Sequence, residues 1–285
     1  MKKNFFSIII PTLNEAKYLP HLLEDLVAQT FKDFEVIIVD GNSKDKTLEL
    51  AGSFTSTLDL TTLTSLRRHV CTQRNIGAKK AISDWLLFMD ADDRLPAYYL
   101  QGIKYRLESS PTDMATTWVH AEKKNNLEQT IVVVMNQAME LSKGSLRALY
   151  PEGMTIIKKA VFLQLGGWEE NIHYAEGQSL IKKLILSGKK FDLYKDPTYS
   201  FSLRRLRKYG LLGLASRMAQ AQLSLYTGKH IPPSKIKEIY PMKGGEFFDK
   251  PTKNKHLFTK RIKLLFQKIN SPDKLKKTLE KIINS

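Results

Sequence analysis

The chain has 285 residues with 42% hydrophobic and 26% charged side chains, which excludes an intrinsically disordered protein and allows a substantial core. Its net charge of +16 is concentrated near the end, where residues 229–285 carry 15 basic and 5 acidic side chains. The single cysteine, Cys71, excludes an intrachain disulfide and fits a reducing compartment. The apolar stretch 5–10 is too short for a signal peptide. The sequence contains no run of about 18 apolar residues, so we expect no membrane span. We therefore expect a cytoplasmic protein.

The first ninety residues alternate between apolar, β-rich stretches and segments with helical periodicity. This order predicts a parallel sheet whose strands are joined by right-handed helical crossovers. We place strands at 5–10, 34–39, within 53–66 and from Trp85 to Met89, and helices after Glu15, after Ser43 as an N-cap, and from Gln73.

The remaining readable sequence mixes helical and strand patterns before its composition becomes lysine-rich. We expect helices at 96–107, 127–141, 176–188 and 211–227, and strands at 115–120, within 151–157, at 191–194 and at 199–203. The pattern predicts one large α/β domain over residues 1–205 and a helical, basic region over residues 206–285.

Polar residues stand where three of the predicted parallel strands end. Ligands of such sheets bind at the carboxyl ends of the strands, so we expect Thr12, Asp40 and Asp90 to lie on one rim. Asp90, Asp92 and Asp93 form an acidic tip, and crowded carboxylates raise one another's pKa unless a cation shares them. The tip is therefore either a metal site or a solvated acidic turn.

The rim residues also suggest individual chemistry. Asp40 could accept hydrogen bonds from a ribose or a base edge, and Arg74 could hold a phosphate with its planar fork. With the acidic tip they suggest a nucleoside diphosphate bound through a divalent cation. Each residue in isolation equally fits a structural role, with Asp40 as a capping acid and Arg74 as a surface charge.

Four motifs follow one another in the order typical of a known family. They are Ile9-Ile10-Pro11-Thr12-Leu13-Asn14-Glu15, Val39-Asp40-Gly41-Asn42-Ser43-Lys44-Asp45-Lys46-Thr47, Arg74-Asn75-Ile76-Gly77 and Asp90-Ala91-Asp92. Over residues 5 to about 210 the chain resembles the family 2 glycosyltransferases of the GT-A fold. The resemblance implies an α/β, Rossmann-like, mostly parallel sheet with flanking helices, followed here by the helical basic extension.

The resemblance also implies a role for each matching residue. A nucleotide-sugar would be bound by Pro11, Thr12, Asn14, Glu15, Asp40, Ser43, Arg74, Asp90, Ala91, Asp92, Arg204 and Arg205. Asp92, with Asp90, would ligate Mg²⁺ or Mn²⁺, and the metal would assist departure of the nucleoside diphosphate. Residues 1–110 would be the nucleotide-sugar-binding half of a catalytic domain, and residues 111–205 the acceptor half. Arg204 and Arg205 equally fit a juxtamembrane basic patch.

The chain departs from the family at the usual catalytic base. Family members commonly have Gly-Gly-Trp/Phe-Asp-Glu and then Glu-Asp at the head of a helix. Here the sequence runs Gly166-Gly167-Trp168-Glu169-Glu170 and then Glu176-Gly177, so glycine replaces the aspartate. Glu176 is our candidate base, because a carboxylate at a helix N-terminus could still reach the acceptor. It equally fits a capping glutamate that interacts with the helix dipole.

These features predict an enzyme of the hexosyltransferase type. It would move a sugar from a nucleoside-diphosphate sugar, with a UDP-sugar as the first guess, to an acceptor hydroxyl, and family members usually invert the anomeric centre. The Gln-x-x-Arg-Trp signature of processive synthases is missing, which favours one transfer per encounter. The alternative is a catalytically silent GT-A domain that binds nucleotide-sugars or acts as a scaffold.

The lysine-rich tail has two interpretations. Its apolar stripes from Leu257 onward, with basic flanks, fit peripheral binding to the anionic cytoplasmic face of a membrane, and the acceptor would then be a lipid-linked or cell-envelope glycan. The same stripes fit a C-terminal subdomain or a dimer interface. Few aromatic residues are interleaved with the basic ones, so we expect no nucleic acid partner.

Overall fold

The structure, a computed structural model, describes residues 4–123, 125–172, 175–227 and 244–245. A seven-stranded sheet forms its centre. The strands are β1 (Phe6–Thr12), β2 (Phe34–Asp40), β3 (Leu60–Thr64), β4 (Trp85–Phe88), β5 (Met114–Ala121), β6 (Thr155–Lys158) and β7 (Phe191–Phe201). The helices are α1 (Leu19–Val27), α2 (Thr47–Gly52), α3 (Val70–Lys80), α4 (Tyr99–Ser109), α5 (Asn126–Ser142), α6 (Lys159–Gln164), α7 (Glu176–Leu186) and α8 (Arg204–Thr227).

The strand order is β3-β2-β1-β4-β6-β5-β7, and β6 alone among these seven runs against its neighbours. The ends of β1, β2 and β4 therefore share one edge of the sheet with the start of β6. This α/β, mostly parallel sheet confirms the expected fold class. The reversed strand matters for the site, because it delivers the loop before Thr155 to the same edge.

Both faces of the sheet are covered, which explains why β1 and β2 are buried along their whole length. Ile8 and Ile10 face a core that includes side chains of α1, α4 and α5. The alternate residue, Ile9, faces a second core with side chains of α3, α6 and α7. Side chains of a strand alternate between faces, so one apolar run serves two cores.

Two local predictions are wrong. Ser43 is not an N-cap, because α2 begins at Thr47 and Ser43 instead hydrogen-bonds Asp40. The two strands expected at 191–194 and 199–203 are one strand, β7, which pairs with β5 across a register shift. Pro197 lies within β7 and has no N–H to donate, but β7 is the edge strand of the sheet, where a proline is tolerated.

The region after residue 203 is described in part. Helix α8 is interrupted at Gly210, whose φ of 70° is not helical. The amphipathic segments predicted from Leu257 onward lie outside the described residues. Within the described ranges, no helix is long and apolar enough to cross a membrane.

Candidate active site

Asp40, at the end of β2, is fully buried and lies at the centre of a hydrogen-bonded cluster. Thr12 Oγ1 donates to its Oδ1 at 2.9 Å, and Ser43 donates its hydroxyl to Oδ1 at 2.5 Å and its N–H to Oδ2 at 2.8 Å. A carboxylate that accepts several hydrogen bonds is held in a fixed orientation. The structure thus brings together three residues that the sequence assigned to the nucleotide pocket.

The loop after β1 is tied to the loop after β2. The Asn14 N–H donates to Ser43 Oγ at 2.8 Å, the Lys44 N–H donates to Asn14 Oδ1 at 2.7 Å, and the Glu15 N–H donates to Thr47 Oγ1 at 2.9 Å. Asn14 has a φ of 52°, a conformation that asparagine tolerates better than most residues. The two strand ends therefore form one rim, as expected, and Pro11 lies within β1 beneath it.

Gln73 on α3 joins the same two strands from the other side. Its Nε2 donates to the carbonyl oxygen of Thr12 at 2.8 Å and to that of Val39 at 2.7 Å. These carbonyls stand where the β1–β2 ladder ends. Sequence analysis gave Gln73 no role, since only its position at the start of a helix was visible.

Arg74, the next residue, reaches the acidic tip. Its side chain is 3% exposed, and its Nη2 lies 2.9 Å from Asp90 Oδ1. The guanidinium stacks on the ring of Trp168, with Cζ 4.8 Å from the ring centroid. In this structure its ionic partner is therefore the tip itself, and it is a buried residue rather than a surface charge.

Arg204, at the start of α8, holds two further acids of the rim. Its Nη1 and Nη2 donate to the two carboxylate oxygens of Glu15 at 2.9 Å each, and its Nε lies 2.9 Å from Asp92 Oδ2. Burial raises the pKa of Glu15 to about 7, against the opposing effect of Arg204. Burial likewise raises the pKa of Asp92, and the charge of Asp90 adds to that rise.

Neighbouring residues of these two clusters complete the rim. Ala91 is 3% exposed and Asp93 is 2% exposed, whereas the Asp90 side chain is 42% exposed, so the tip is folded inward except at Asp90. Arg205 follows Arg204 in the first turn of α8 and is partly exposed. Gly245 donates its N–H to the Leu13 carbonyl oxygen at 3.2 Å, which brings this part of the C-terminal region against the rim.

The Gly166–Glu170 motif is fastened to α3 by Asn75. The Asn75 Nδ2 donates to the Trp168 carbonyl oxygen at 2.9 Å and to Glu170 Oε1 at 3.0 Å, while the Trp168 N–H donates to Asn75 Oδ1 at 3.0 Å. Thr72 also donates to Glu170, and these hydrogen bonds lower the pKa of Glu170. The motif thus positions Trp168 under Arg74.

Glu176, the candidate base, is the first residue of α7 and is 4% exposed. Its neighbour is Glu152, from the loop before β6, whose Oε1 accepts the Gly177 N–H at 2.8 Å. The sequence predicted no role for Glu152. Its place near a short strand within residues 151–157 was visible, but the sequence does not show that this strand, β6, runs in reverse and starts at the rim.

Comparison with known proteins decides the family. Residues 7–166, more than half of the chain, match the sequence profile of Glycosyl transferase family 2. The chain belongs to this family. An uncharacterised glycosyltransferase of Haemophilus influenzae is 31% identical over 185 residues, which are 63% of this chain and 61% of that relative. The match thus spans about six-tenths of the relative's length.

Solved structures share the fold of this family 2 chain. TarS of Staphylococcus aureus, residues 1–349 in complex with UDP-GlcNAc, has a TM-score of 0.60 at 21% identity and covers 82% of this chain and 64% of TarS. The mannosyltransferase PcManGT of Pyrobaculum calidifontis, in complex with GDP-Man and Mn²⁺, has a TM-score of 0.62 at 18% identity. That match covers 85% of this chain and 70% of the mannosyltransferase. These likenesses confirm the GT-A fold.

The donor atoms of the acidic tip suit a hard divalent cation in chemical type. Carboxylate oxygens are the ligands that Mg²⁺ and Mn²⁺ prefer, and a Mg²⁺ site usually needs only one or two of them besides phosphates and water. Asp90 and Asp92 repel each other, which a cation between them would relieve. Both are engaged by arginines here, and the part of the chain that the structure describes contains no group of three or more metal-ligating side chains.

Proposed function

We propose that this family 2 chain transfers a single hexose from a nucleoside-diphosphate sugar to an acceptor hydroxyl, with inversion at the anomeric carbon. The observation that carries the proposal is the common rim at which Asp40, the acidic tip and Arg204 lie together, built from the four motifs in family order. Residues 1–110 would bind the donor, and residues 111–205 would bind the acceptor.

On the donor side, the buried Asp40 would hold the base or ribose. Thr12 and Ser43 already orient its carboxylate, so little side-chain entropy would be lost when a nucleotide binds. UDP is our first choice of nucleotide, since TarS is described with UDP-GlcNAc, although PcManGT is described with GDP-Man. Arg204 and Arg205 would face the diphosphate, where a guanidinium can form two parallel hydrogen bonds.

Asp92 and Asp90 would hold Mg²⁺ or Mn²⁺. The cation, once bound, would neutralise charge on the leaving nucleoside diphosphate. For this to happen Arg204 must give up its contact with Asp92, and Arg74 its contact with Asp90 or share it. The arginines then become available to phosphate oxygens.

On the acceptor side, Glu176 would accept the proton of the attacking hydroxyl. From the N-terminus of α7 its carboxylate acts on Arg74, which stacks on Trp168, although Gly177 supplies no side chain. General-base catalysis contributes about 10²- to 10⁴-fold to a rate. We therefore expect Glu176→Gln to lower kcat by at least about 100-fold while donor binding persists.

The test begins with a thermal-shift screen of nucleotide-sugars with Mn²⁺, followed by calorimetry and an assay of sugar transfer and donor hydrolysis. Donor binding by both wild type and Glu176→Gln, with turnover in wild type that Glu176→Gln abolishes, would support the proposal. Wild-type rates in Glu176→Gln would exclude Glu176 as the base. Donor binding without hydrolysis or transfer would favour the alternative, a catalytically silent nucleotide-sugar-binding domain.

We also propose that the basic region works at the cytoplasmic face of a membrane on a lipid-linked glycan. The support is the excess of 15 basic over 5 acidic side chains in residues 229–285. Such a segment gains roughly 1 kcal/mol per basic residue near an anionic surface. Flotation with phosphatidylserine vesicles tests it, and equal recovery with neutral vesicles would argue for a packed subdomain or dimer interface instead.

A further inference from the structure

The space beside Gly177 is already filled. A Cβ built on Gly177 would lie 2.4 Å from Tyr150 Oη and 2.7 Å from Glu152 Cγ, far inside ordinary contact. An aspartate cannot stand at this position in the present arrangement. The volume that its side chain needs is occupied by Tyr150 and Glu152, which belong to a different segment of the chain.

The carboxyl group of Glu152 is held in a defined place. Its Oε1 accepts the N–H of Gly177 at 2.8 Å, and Tyr150 donates its hydroxyl to the Gly177 carbonyl oxygen at 3.2 Å. The residue before α7, Ala175, provides no side-chain cap. Glu152 therefore satisfies one of the free N–H groups of this helix from outside it.

Glu152 and Glu176 form a pair. The carboxyl group of Glu176 lies close enough to that of Glu152 for its charge and a hydrogen bond between them to act on Glu152. Burial, first, and then the charge of Glu176 raise the pKa of Glu152 well above its usual range, and Arg74 opposes that rise. A raised pKa makes an ionised carboxylate a stronger proton acceptor.

The pair also lies next to the donor rim. Gly153, the residue after Glu152, packs so closely on Asp90 that a Cβ there would lie 2.3 Å from Asp90 Oδ2. The sugar of a donor bound at Asp90 would thus meet the loop that carries Glu152. Of the two acids, Glu176 is 4% exposed, whereas Glu152 is partly exposed.

We propose that Glu152 supplies the carboxylate that the position of Gly177 lacks, and that it accepts the proton of the acceptor hydroxyl with Glu176 as its hydrogen-bonded partner. This inference rests on the proposed function, but it assigns the contact with the acceptor hydroxyl to Glu152 in place of Glu176. The acceptor oxygen forms the bond to the anomeric carbon and its proton goes to Glu152. The bond from that carbon to the phosphate oxygen breaks, and its electrons leave with the nucleoside diphosphate.

The alternative is that Glu152 only caps α7. A cap needs one acceptor oxygen, which glutamine keeps, so Glu152→Gln preserves the bond from the Gly177 N–H and removes the basic oxygen. We expect kcat to fall by at least about 100-fold, with the donor dissociation constant and the acceptor KM within about 3-fold of wild type. Glu152→Asp, which keeps the acid but withdraws it by one methylene, should retain more activity than Glu152→Gln.

The matched control is Glu108→Gln. Glu108 is also a carboxylate in an ion pair, with Lys104 on α4, but it belongs neither to the rim nor to the Gly166–Glu170 motif. Its kcat should stay within about 3-fold of wild type. The double variant Glu152→Gln with Glu176→Gln should be little slower than Glu152→Gln alone, because residues that act as a unit are not additive.

The outcomes separate the two proposals. If wild-type protein neither transfers sugar nor hydrolyses any donor that it binds, the proposed function fails and this inference fails with it. If wild type turns over and Glu152→Gln keeps a kcat within about 3-fold, only this inference is overturned. Should Glu152→Gln not fold, as judged by its thermal transition, Glu152→Ala takes its place, and a Glu152→Ala variant with a kcat within about 3-fold of wild type would overturn the inference.

Discussion

Gly177→Ala tests whether the loop before β6 fills the space beside α7. The new methyl group would lie 2.4 Å from Tyr150 Oη and 2.7 Å from Glu152 Cγ, whereas ordinary contacts are about 1 Å longer. Neither neighbour moves freely, because Tyr150 is bonded to the Gly177 carbonyl oxygen and Glu152 to its N–H. We therefore expect a destabilised protein.

The magnitude follows from two opposing effects. Overpacking a filled site costs about 1–3 kcal/mol, and replacing a helical glycine by alanine returns about 0.5–1 kcal/mol. The net loss is about 0–2.5 kcal/mol, with a midpoint near 1 kcal/mol, which lowers the Tm by up to about 10 °C for a chain of this size. Thermal and urea unfolding followed by circular dichroism measure it.

Gly52→Ala is the matched control. Gly52 is the last residue of α2 and a Cβ there would meet nothing within 4 Å, so the same substitution should be neutral or stabilising. In a Glu152→Ala background the Gly177→Ala cost should shrink, because the two sites share one space. A Gly177→Ala protein as stable as Gly52→Ala would refute the account of the filled site.

Two further predictions concern stability. Asn75→Ala should lower the free energy of unfolding by about 1–3 kcal/mol, because it leaves the Trp168 N–H and carbonyl without their partner, and denaturant titration checks this. Burial raises the pKa of Glu15 to about 7 from an unfolded value near 4.5, so its contribution is fully present below pH 4.5 and is lost as pH rises to 7. The loss amounts to roughly 3 kcal/mol, and Glu15→Gln should show a flatter Tm between pH 4.5 and 7 than wild type.

The first half of the fold was readable from sequence because its signals are local. Apolar runs such as 34–39 and 85–89 are too short for helices, and the polar residues that end them, Asp40 and Asp90, mark the rim. A parallel sheet then brings those ends together whatever the exact strand order. The confirmed fold class and the contact of Thr12 with Asp40 follow from this logic.

The surroundings of Glu152 and Glu176 were not readable from sequence, because they depend on contacts between distant segments. Nothing in the sequence near Glu152 shows that β6 is inserted in reverse between β4 and β5, which is what delivers the loop to the rim. Gly177 looked like a missing side chain. In the structure the loop before β6 packs directly against Gly177, and the space beside Gly177 is filled by residues that include Glu152, 25 positions earlier in the chain.

Arg204 links the rim to the region after the sheet, and its contacts predict opposite changes in two affinities. The three guanidinium nitrogens of Arg204 contact Asp92 and Glu15. A divalent cation that binds without a nucleotide must therefore compete with Arg204 for Asp92. Arg204→Ala should therefore bind Mn²⁺ alone more tightly than wild type. It should bind a nucleoside diphosphate with Mn²⁺ more weakly, because it loses a guanidinium for the phosphates.

Calorimetric titration of Mn²⁺, with and without UDP, measures both affinities of Arg204→Ala. The control is Arg106→Ala, which removes one positive charge from an exposed pair with Asp196 and should change neither affinity. If Arg204 only secures α8 to the sheet, its loss should weaken both affinities together or leave both unchanged. If the Arg204 guanidinium moves from the carboxylate to the phosphates, its loss should raise the affinity for Mn²⁺ alone and lower the affinity for UDP with Mn²⁺.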